Sequence, residues 1–304
     1  LDTFVITEPT AITVTNLTTD VSCNGLSDGS VSLVVSGGTP LYSEDWGTNN
    51  PNSLSAGTYN YTITDGNLCT YTNSVIIIEP NIISTSTSIT NVSCNGLSDG
   101  SVSLSVSGGT PGYSEDWGTY NPSFLSAGTY NYTITDTNGC NYNDSVIITE
   151  PQVLNATYIK TDVSCNGLAD GSASLIISGG TQDYILSWDT LTYPLIGGLN
   201  TFITPIGVPA GVYPFGITDN NGCTFADTIT ITEPNDISSS YTVTNYNGYN
   251  VSCNGLADAS VNILWTGGTP PYQNWFNGTF TNDSVQNNLS SGTYIDSLID
   301  DNIM

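Results

Sequence analysis

Apolar and polar residues alternate with a period of two along most of the chain, and no segment shows the spacing of an amphipathic helix. Strict alternation predicts a strand over residues 58–64. The apolar run at residues 31–35 predicts another strand, because a Gly-Gly-Thr-Pro turn signal follows it. Further strands are expected from residue 12 onward, over residues 42–46 and over residues 75–78. With one or two short strands in the Ser/Asn-rich connection, the unit would contain about six or seven strands.

A motif of the form Cys-Asn-Gly-Leu-x-Asp occurs four times along the chain. Its cysteine stands at four positions: Cys23, Cys94, Cys165 and Cys253. A Glu-Pro pair recurs in step with it, at residues 8–9, 79–80, 150–151 and 233–234. Self-similarity at a fixed period indicates a tandem array of one structural unit.

These marks divide the chain into a short leading segment and four repeats. The expected bounds are residues 10–80 for repeat 1, 81–151 for repeat 2, 152–234 for repeat 3 and 235–304 for repeat 4. Repeat 3 carries a 12-residue insertion between Trp188 and Tyr213. Residues 1–9 match the end of a repeat and are expected to be the last strand of a preceding or neighbouring repeat. Repeat 4 is expected to lack its own last strand.

The strand count and repeat length predict an all-β fold of small antiparallel β-sandwiches, immunoglobulin-like in architecture. Each Glu-Pro pair leads into the next repeat without a Gly/Ser linker, and proline favours extended backbone. The repeats are therefore expected to lie end to end as a rod or filament. One tryptophan per repeat is expected in the core, with a ligand-stacking surface as the alternative: Trp46, Trp117, Trp188 and Trp275.

The charge of the chain is strongly one-sided, with 27 acidic side chains against one basic side chain, Lys160, and no histidine. The net charge of -26 excludes a nucleic-acid binder and an anionic membrane surface as partners, because nothing neutralises their phosphates. Catalytic pairs that need histidine are excluded as well. A glycosidase with paired carboxylates is the one enzyme class compatible with this composition, and a catalytic pair is not expected along an array. The chain is therefore predicted not to be an enzyme.

Seven cysteines are expected to form three pairs within repeats and to leave Cys253 unpaired. The pairs are Cys23 with Cys69, Cys94 with Cys140 and Cys165 with Cys223. Two thiolates per repeat without histidine cannot complete a tetrahedral zinc site. Disulfides persist in oxidising compartments, so the protein is expected to be extracellular or on the cell surface.

An aspartate closes each Cys-Asn-Gly-Leu-x-Asp loop: Asp28, Asp99, Asp170 and Asp258. Such a side chain commonly caps a turn by accepting backbone N–H groups. The alternative is a calcium ion, which takes six to eight oxygen ligands. No other cofactor is predicted.

The marks, taken in order, resemble the SprB-type repeat of cell-surface adhesins in gliding Bacteroidota. Repeat 2 carries them as Cys-Asn-Gly-Leu-Ser-Asp-Gly-Ser from Cys94, Gly-Gly-Thr-Pro from Gly108, Trp117, Leu-Ser-Ala-Gly-Thr-Tyr from Leu125 and Ile-Thr-Asp-Thr-Asn-Gly-Cys from Ile134. Glu150-Pro151 closes the series. The resemblance implies export by the type IX route, display as long filaments, and partnership with the gliding and secretion machinery.

The resemblance also implies O-glycosylation at Asp-Ser/Thr-aliphatic tripeptides. Five hydroxyl residues fit that pattern: Ser145, Thr190, Thr228, Ser284 and Ser297.

Three functions agree with these observations. The first is a filamentous adhesin segment that gives reach and attachment to a surface polysaccharide or a solid substrate. The second is an assembling fibre subunit, in which residues 4–7 complete repeat 4 of an identical subunit. The third is a glycan-binding module that uses exposed aromatics such as Tyr71, Tyr120 and Tyr142. Further repeats of the same chain or identical subunits are expected partners, and the chain is not expected to be embedded in a membrane.

Overall fold

The computed structural model of the protein describes residues 2–189, 191–204 and 207–300. All regular secondary structure in these residues is β-strand, and every strand pair is antiparallel. The chain divides into two compact units. The first contains Leu1–Val92 and Gly96–Glu150, and the second contains Ser93–Asn95 and Pro151–Met304.

Repeat 1 folds as two small facing sheets. Its strands are β1 (Thr13–Thr19), β2 (Ser30–Ser36), β3 (Ser43–Asp45), β4 (Gly57–Thr64) and β5 (Thr70–Ile77). One sheet pairs β1 with β2, and the other has the order β3-β4-β5. Repeat 2 repeats this plan with β6 (Ser84–Thr90), β7 (Ser101–Ser107), β8 (Ser114–Asp116), β9 (Gly128–Thr135) and β10 (Asn141–Ile148).

Alternation along the strands places one face of each sheet in a shared core. In repeat 1, Tyr61 and Ile63 of β4 are buried together with Val75 and Ile77 of β5. Trp46 closes this core, with its ring 5.1 Å from that of Tyr61. Trp117 and Trp188 are buried in the cores of repeats 2 and 3 in the same way.

The turn after the second strand requires glycine. Gly37 has a φ of +75°, and a Cβ atom there would lie 2.0 Å from the carbonyl oxygen of Ala11. The backbone N–H of Gly38 donates to the carbonyl oxygen of Thr10 at 2.7 Å. The Gly-Gly-Thr-Pro signal therefore packs against the upstream end of its repeat, where the first strand begins.

Repeat 3 uses its insertion to widen both sheets. Its strands are β11 (Asn155–Thr161), β12 (Ser172–Ser178), β13 (Tyr184–Trp188), β14 (Leu191–Leu195), β15 (Thr201–Ile203), β16 (Gly211–Thr218) and β17 (Thr224–Ile231). Strand β14 pairs with β13, and strand β15 pairs with β12. Leu195 and Phe202, which these added strands contribute, are buried in the core of the repeat.

Repeat 4 has a smaller core. Its strands are β18 (Ser238–Val243), β19 (Ala259–Thr266), β20 (Tyr272–Phe276), β21 (Thr279–Thr281), β22 (Val285–Leu289) and β23 (Asp296–Asp300). Strand β23 pairs with β20 as β4 pairs with β3 in repeat 1. Within the described part of this repeat, the buried apolar side chains are Ala259, Val261 and Ile263.

The prediction of tandem immunoglobulin-like antiparallel β-sandwiches is confirmed, with two corrections. Repeats 1 and 2 contain five strands rather than six or seven, because their Ser/Asn-rich connection forms turns and a single bridge between Gly29 and Leu54 or its equivalent. The expected core tryptophan of repeat 4, Trp275, is only half-buried. In repeat 3, Trp188 lies opposite Phe215 in the sheet. In repeat 4 the equivalent position is held by Phe276, which lies opposite Asp296. The division into four domains stays a prediction.

Candidate functional site: the junction between successive repeats

The loop that carries the first cysteine of each repeat is closed by its own aspartate. In repeat 1, the carboxylate of Asp28 accepts the backbone N–H of Ser22 at 3.0 Å and also the Ser22 hydroxyl. These two bonds from Ser22, the hydroxyl bond first, lower the pKa of Asp28. Asp170 is held by Ser164, and Asp258 by Ser252, in the same manner. Each of these carboxylates therefore stays ionised and fixes the loop between itself and the serine six positions earlier.

This loop also binds the Glu-Pro pair at the end of its own repeat. The backbone N–H of Gly25 donates to Glu79 Oε2 at 2.6 Å. Asn24 Nδ2 donates to the carbonyl oxygen of Pro80 at 3.0 Å. Repeats 2 and 3 repeat both bonds, with Glu150, Pro151, Glu233 and Pro234 as acceptors. The first-cysteine loop therefore lies at the downstream end of its repeat.

The second cysteine of each repeat belongs to a turn organised by another aspartate. Asp65 Oδ1 accepts the backbone N–H groups of Asn67 and Cys69, each at 2.9 Å. Asp65 Oδ2 accepts the N–H of Thr39 at 2.9 Å, which ties the turn to the Gly-Gly-Thr-Pro segment. Since that segment packs on Thr10, the second-cysteine turn lies at the upstream end of its repeat.

These turn aspartates are buried, and the pKa values of those in repeats 1 and 2 are lowered. The N–H of Thr39 is the main cause of the lowered pKa of Asp65, and it outweighs the opposing effect of burial. In repeat 2, burial acts to raise the pKa of Asp136, but four backbone N–H groups, led by that of Thr110, together lower it. Asp219 of repeat 3 accepts the same set of N–H groups, from Thr181, Asn221 and Cys223.

The disulfides join the first cysteine of one repeat to the second cysteine of the next. In the first unit, Cys23 of repeat 1 is bonded to Cys140 of repeat 2, with a Cα–Cα distance of 5.6 Å. Beside this bond, Asn138 Nδ2 donates to the carbonyl oxygen of Ser22 at 3.0 Å. The second unit contains the bond between Cys94 and Cys223, where Asn221 Nδ2 donates to the carbonyl oxygen of Ser93 at 2.9 Å.

The prediction of pairs within repeats is therefore wrong. Cys23 does not pair with Cys69, Cys94 does not pair with Cys140, and Cys165 does not pair with Cys223. Among the described residues, Cys69, Cys165 and Cys253 carry free thiols. The physical reason is that the two cysteines of one repeat lie at its opposite ends. The downstream end of one repeat faces the upstream end of the next within the first unit, which brings Cys23 to Cys140.

Repeats 3 and 4 make a related contact without a disulfide. Thr269 Oγ1 donates to the carbonyl oxygen of Ser164 at 3.4 Å. The thiol of Cys165 donates to Asp300 Oδ1 at 3.8 Å, and Asp300 stands where the other repeats carry their turn aspartate. The position four residues after that aspartate, a cysteine in repeats 1 to 3, is Met304, which lies outside the described residues.

The other predicted site residues are not brought together. Groups of three or more His, Cys, Asp or Glu side chains able to hold a metal do not occur in the described part of the chain. Calcium at Asp28, Asp99, Asp170 or Asp258 stays a prediction. The hydroxyls of Ser145, Thr228, Ser284 and Ser297 lie on exposed residues, and Thr190 falls outside the described residues.

One aromatic groove of repeat 2 bears on the glycan hypothesis. A cavity of about 640 Å³ is lined by Tyr120, Tyr132 and Trp117, together with polar side chains that include Asp116 and Asn143. Tyr120 is 56% exposed, and its ring packs edge-on against Tyr130 at 4.9 Å. Tyr71 and Tyr142, the other two predicted aromatics, are half-buried.

No helical segment in residues 2–189, 191–204 or 207–300 has the length and hydrophobicity that crossing a bilayer requires.

One family model matches the chain at four places. The family model described as "SprB repeat" matches at residues 15–51, 86–117, 157–192 and 245–280, one match in each repeat. A search of the curated proteins finds no match. A solved structure described as "Structural basis for Dscam isoform specificity" matches with 11% identity over 96% of this chain and 96% of that chain. Its TM-score is 0.20.

Proposed function

Because the chain carries four SprB repeats, which point to a cell-surface, adhesin-like repeat region, we propose that it is a segment of an extracellular adhesin filament. In this proposal the repeats provide reach and attachment to a surface polysaccharide or a solid substrate. Filaments of this kind would be exported by the type IX route and moved by the gliding machinery. The chain performs no catalysis in this role.

The observation that carries the proposal is the disulfide that crosses from one repeat to the next. A repeat that only needed a stable core would gain as much from an internal bond. A bond between successive repeats instead fixes their relation and carries tension past the linker, as an attachment filament requires. In the chain-entropy model, closing loops with separations of 117 and 129 residues stabilises the fold by about 5 kcal/mol each.

The Glu-Pro linker between repeats is held by the same loop that carries the disulfide. Glu79 and Pro80 are bonded to the loop of Cys23, so the chain leaves repeat 1 in a fixed direction. Proline removes a backbone donor and restricts φ, which further stiffens the connection. At the junctions of repeats 1 and 2 and of repeats 2 and 3, both the polypeptide and a disulfide connect the repeats, and load is shared between them.

A glycan-binding function is the second candidate, and the groove beside Tyr120 in repeat 2 favours it. An exposed aromatic ring can stack on a sugar face, while Asn143 and Asp116 can bond its hydroxyls. This site would supply attachment to a surface polysaccharide.

The proposal is tested in the bacterium that produces the protein. Antibodies against the chain should label unpermeabilised cells, and deletion of the repeat region should reduce adhesion to glass and polysaccharide and slow gliding. A strain with C140S and C223S should keep the surface label but lose adhesion under flow, because disulfides no longer join its successive repeats. Label found only after permeabilisation, or normal adhesion and gliding in the deletion strain, would contradict the proposal.

A further inference from the structure

The aromatic groove of repeat 2 lies where strand β8 ends. Asp116, the last residue of β8, pairs with Thr133, and strand β9 extends beyond this pair as far back as Gly128. The polar face of the sheet contributes short side chains to the groove: Thr129, Asn131, Thr133, Asn143 and Ser145. The volume of about 640 Å³ is typical of sites that bind small molecules.

Tyr120 provides an exposed aromatic ring that is held in place. Its side chain is 56% exposed, and its ring packs edge-on against Tyr130 with the centroids 4.9 Å apart. Tyr130 is buried, and its hydroxyl donates to the carbonyl oxygen of Ser126 at 3.0 Å. An exposed ring that rests on a fixed neighbour can bind the apolar face of a sugar with little loss of conformational freedom.

Two fixed side chains offer hydrogen-bonding groups to the groove. Asn143 Oδ1 accepts the hydroxyl of Thr133 at 2.7 Å, which leaves the Nδ2 group as a donor. Asp116 Oδ1 accepts the backbone N–H of Gly118 at 2.8 Å, which leaves Oδ2 as an acceptor. A donor and an acceptor beside an aromatic ring match the hydroxyls and the apolar face of a pyranose.

The charge of the groove selects against acidic sugars. Two carboxylates line it, those of Asp116 and Asp144. Asp144 is held in place because it accepts the backbone N–H of Ser145 at 2.8 Å and the hydroxyl of Tyr142 at 3.1 Å. The single basic side chain of the protein, Lys160, belongs to repeat 3. Repeat 2 therefore has no side chain that could neutralise a uronate or a sulfate group next to these carboxylates.

Repeat 1 provides an internal comparison for the groove. Most positions that line the groove carry the same residue in the two repeats. The lining differs at three positions, where repeat 2 has Tyr120, Asn143 and Asp144 and repeat 1 has Asn49, Thr72 and Asn73. The aromatic ring and the amide donor are therefore features of repeat 2 and not of the shared repeat fold.

We propose that the groove beside Tyr120 binds an uncharged hexopyranose, and that repeat 2 has this site whereas repeat 1 does not. The inference rests on the glycan-binding function proposed above, and it names the class of sugar and the repeat that binds it. The apolar face of the sugar stacks on Tyr120, while its hydroxyls accept from Asn143 and donate to Asp116. Sugars that carry carboxylate or sulfate groups are repelled.

The test measures binding of the purified full chain to a glycan array that includes neutral, uronic, sulfated and amine-bearing oligosaccharides. The neutral oligosaccharide that binds best is then titrated by isothermal titration calorimetry. Y120N should weaken its binding roughly 10-fold, because the variant lacks the stacking ring. Repeat 1 carries asparagine at this position in the same fold, so Y120N is expected to fold normally.

F124S is the matched control for the loss of an exposed aromatic residue. Phe124 lies in the same connection as Tyr120 and is exposed, but it does not line the groove. Repeat 1 has Ser53 at the equivalent position, so both variants introduce the residue of repeat 1. F124S should bind the sugar like the wild type.

A further variant transfers the site to repeat 1. N49Y combined with T72N gives repeat 1 the ring and the amide of repeat 2. The number of sugar molecules bound per chain should increase by one in the same titration. An unchanged number would mean that these residues do not form the site.

The outcomes separate this site from the functions proposed above. Glycan binding that Y120N leaves unchanged, equal losses in Y120N and F124S, or a preference for charged sugars would overturn the site and leave glycan binding standing. An array without any bound glycan would overturn both. Failure of the adhesin proposal is distinguishable, because the deletion strain would then adhere normally while the purified chain still binds the sugar through Tyr120.

Discussion

Carboxylates organise the backbone at both ends of each repeat. Asp28 closes the downstream loop through Ser22, and Asp65 closes the upstream turn through Thr39 and Cys69. In both places the acid accepts N–H groups that strand pairing leaves unsatisfied, so its charge is used to shape a loop that carries a cysteine. Position of the sulfur atoms therefore depends on ionised aspartates.

This dependence predicts a loss of stability in acid. The pKa values of Asp65 and Asp136 lie below the ordinary value of 3.8, so their stabilisation is present above that value and is lost as the pH falls through the lowered pKa. The thermal midpoint of the wild type should fall steeply below pH about 4. D65N should lower the midpoint at neutral pH and flatten the dependence on pH, as followed by circular dichroism. D2N removes one negative charge outside both sheets and should keep the wild-type slope.

The cysteine pairing shows what a repeat sequence cannot decide. Cys23 and Cys69 occupy the same two places in their repeat as Cys94 and Cys140 do in the next, so pairing within repeats and pairing between repeats use equivalent sets of positions. Only the hydrogen bonds of the two loops reveal that they lie at opposite ends. The Glu-Pro pair was the available signal, because a loop that binds Glu79 must lie where repeat 1 ends.

At the scale of elements, period-two alternation is enough to find the strands that build the core. The predicted strands at residues 31–35 and 58–64 correspond to β2 (Ser30–Ser36) and β4 (Gly57–Thr64). The error at Trp275 has a simple cause: a shift of one residue moves a side chain to the other face of a strand, and Phe276 takes the inward position. The insertion in repeat 3 adds one strand to each sheet, because β14 pairs with β13 and β15 pairs with β12. This pairing could not be predicted from the sequence of the insertion alone.

The added strand β15 is expected to contribute strongly to the stability of repeat 3. Phe202 is 8% exposed, and its ring lies 4.7 Å from that of Tyr193 and 6.2 Å from that of Trp188. F202A should therefore lower the free energy of unfolding of this repeat by about 3–5 kcal/mol, measured by urea denaturation. I203A changes the neighbouring side chain, which is 70% exposed, and should cost less than about 0.5 kcal/mol. Equal costs for the two variants would contradict the packing of this strand.

At the scale of the whole chain, the two disulfides close overlapping loops. The first spans residues 23–140 and the second spans residues 94–223, so the segment between Cys94 and Cys140 lies inside both. The shortest covalent path from Cys23 to Cys223 uses the first disulfide to reach Cys140, follows the polypeptide back to Cys94, and uses the second disulfide to reach Cys223. It contains about 46 residues, whereas the unbridged chain contains about 200. Tension between these two ends therefore cannot straighten most of the polypeptide.

The length of this covalent path can be measured by pulling single molecules through handles attached next to Cys23 and next to Cys223. At about 3.5 Å per residue, the fully unfolded segment should extend roughly 160 Å when oxidised and roughly 700 Å when reduced. C140S leaves only the bond between Cys94 and Cys223, so the shortest path runs directly from residue 23 to residue 94, and the extension should increase by roughly 90 Å. C69S should leave the extension unchanged, because Cys69 forms no disulfide. An increase with C69S instead would mean that the bonds lie within repeats, and successive repeats would lack the disulfide connection on which the proposed role in attachment rests.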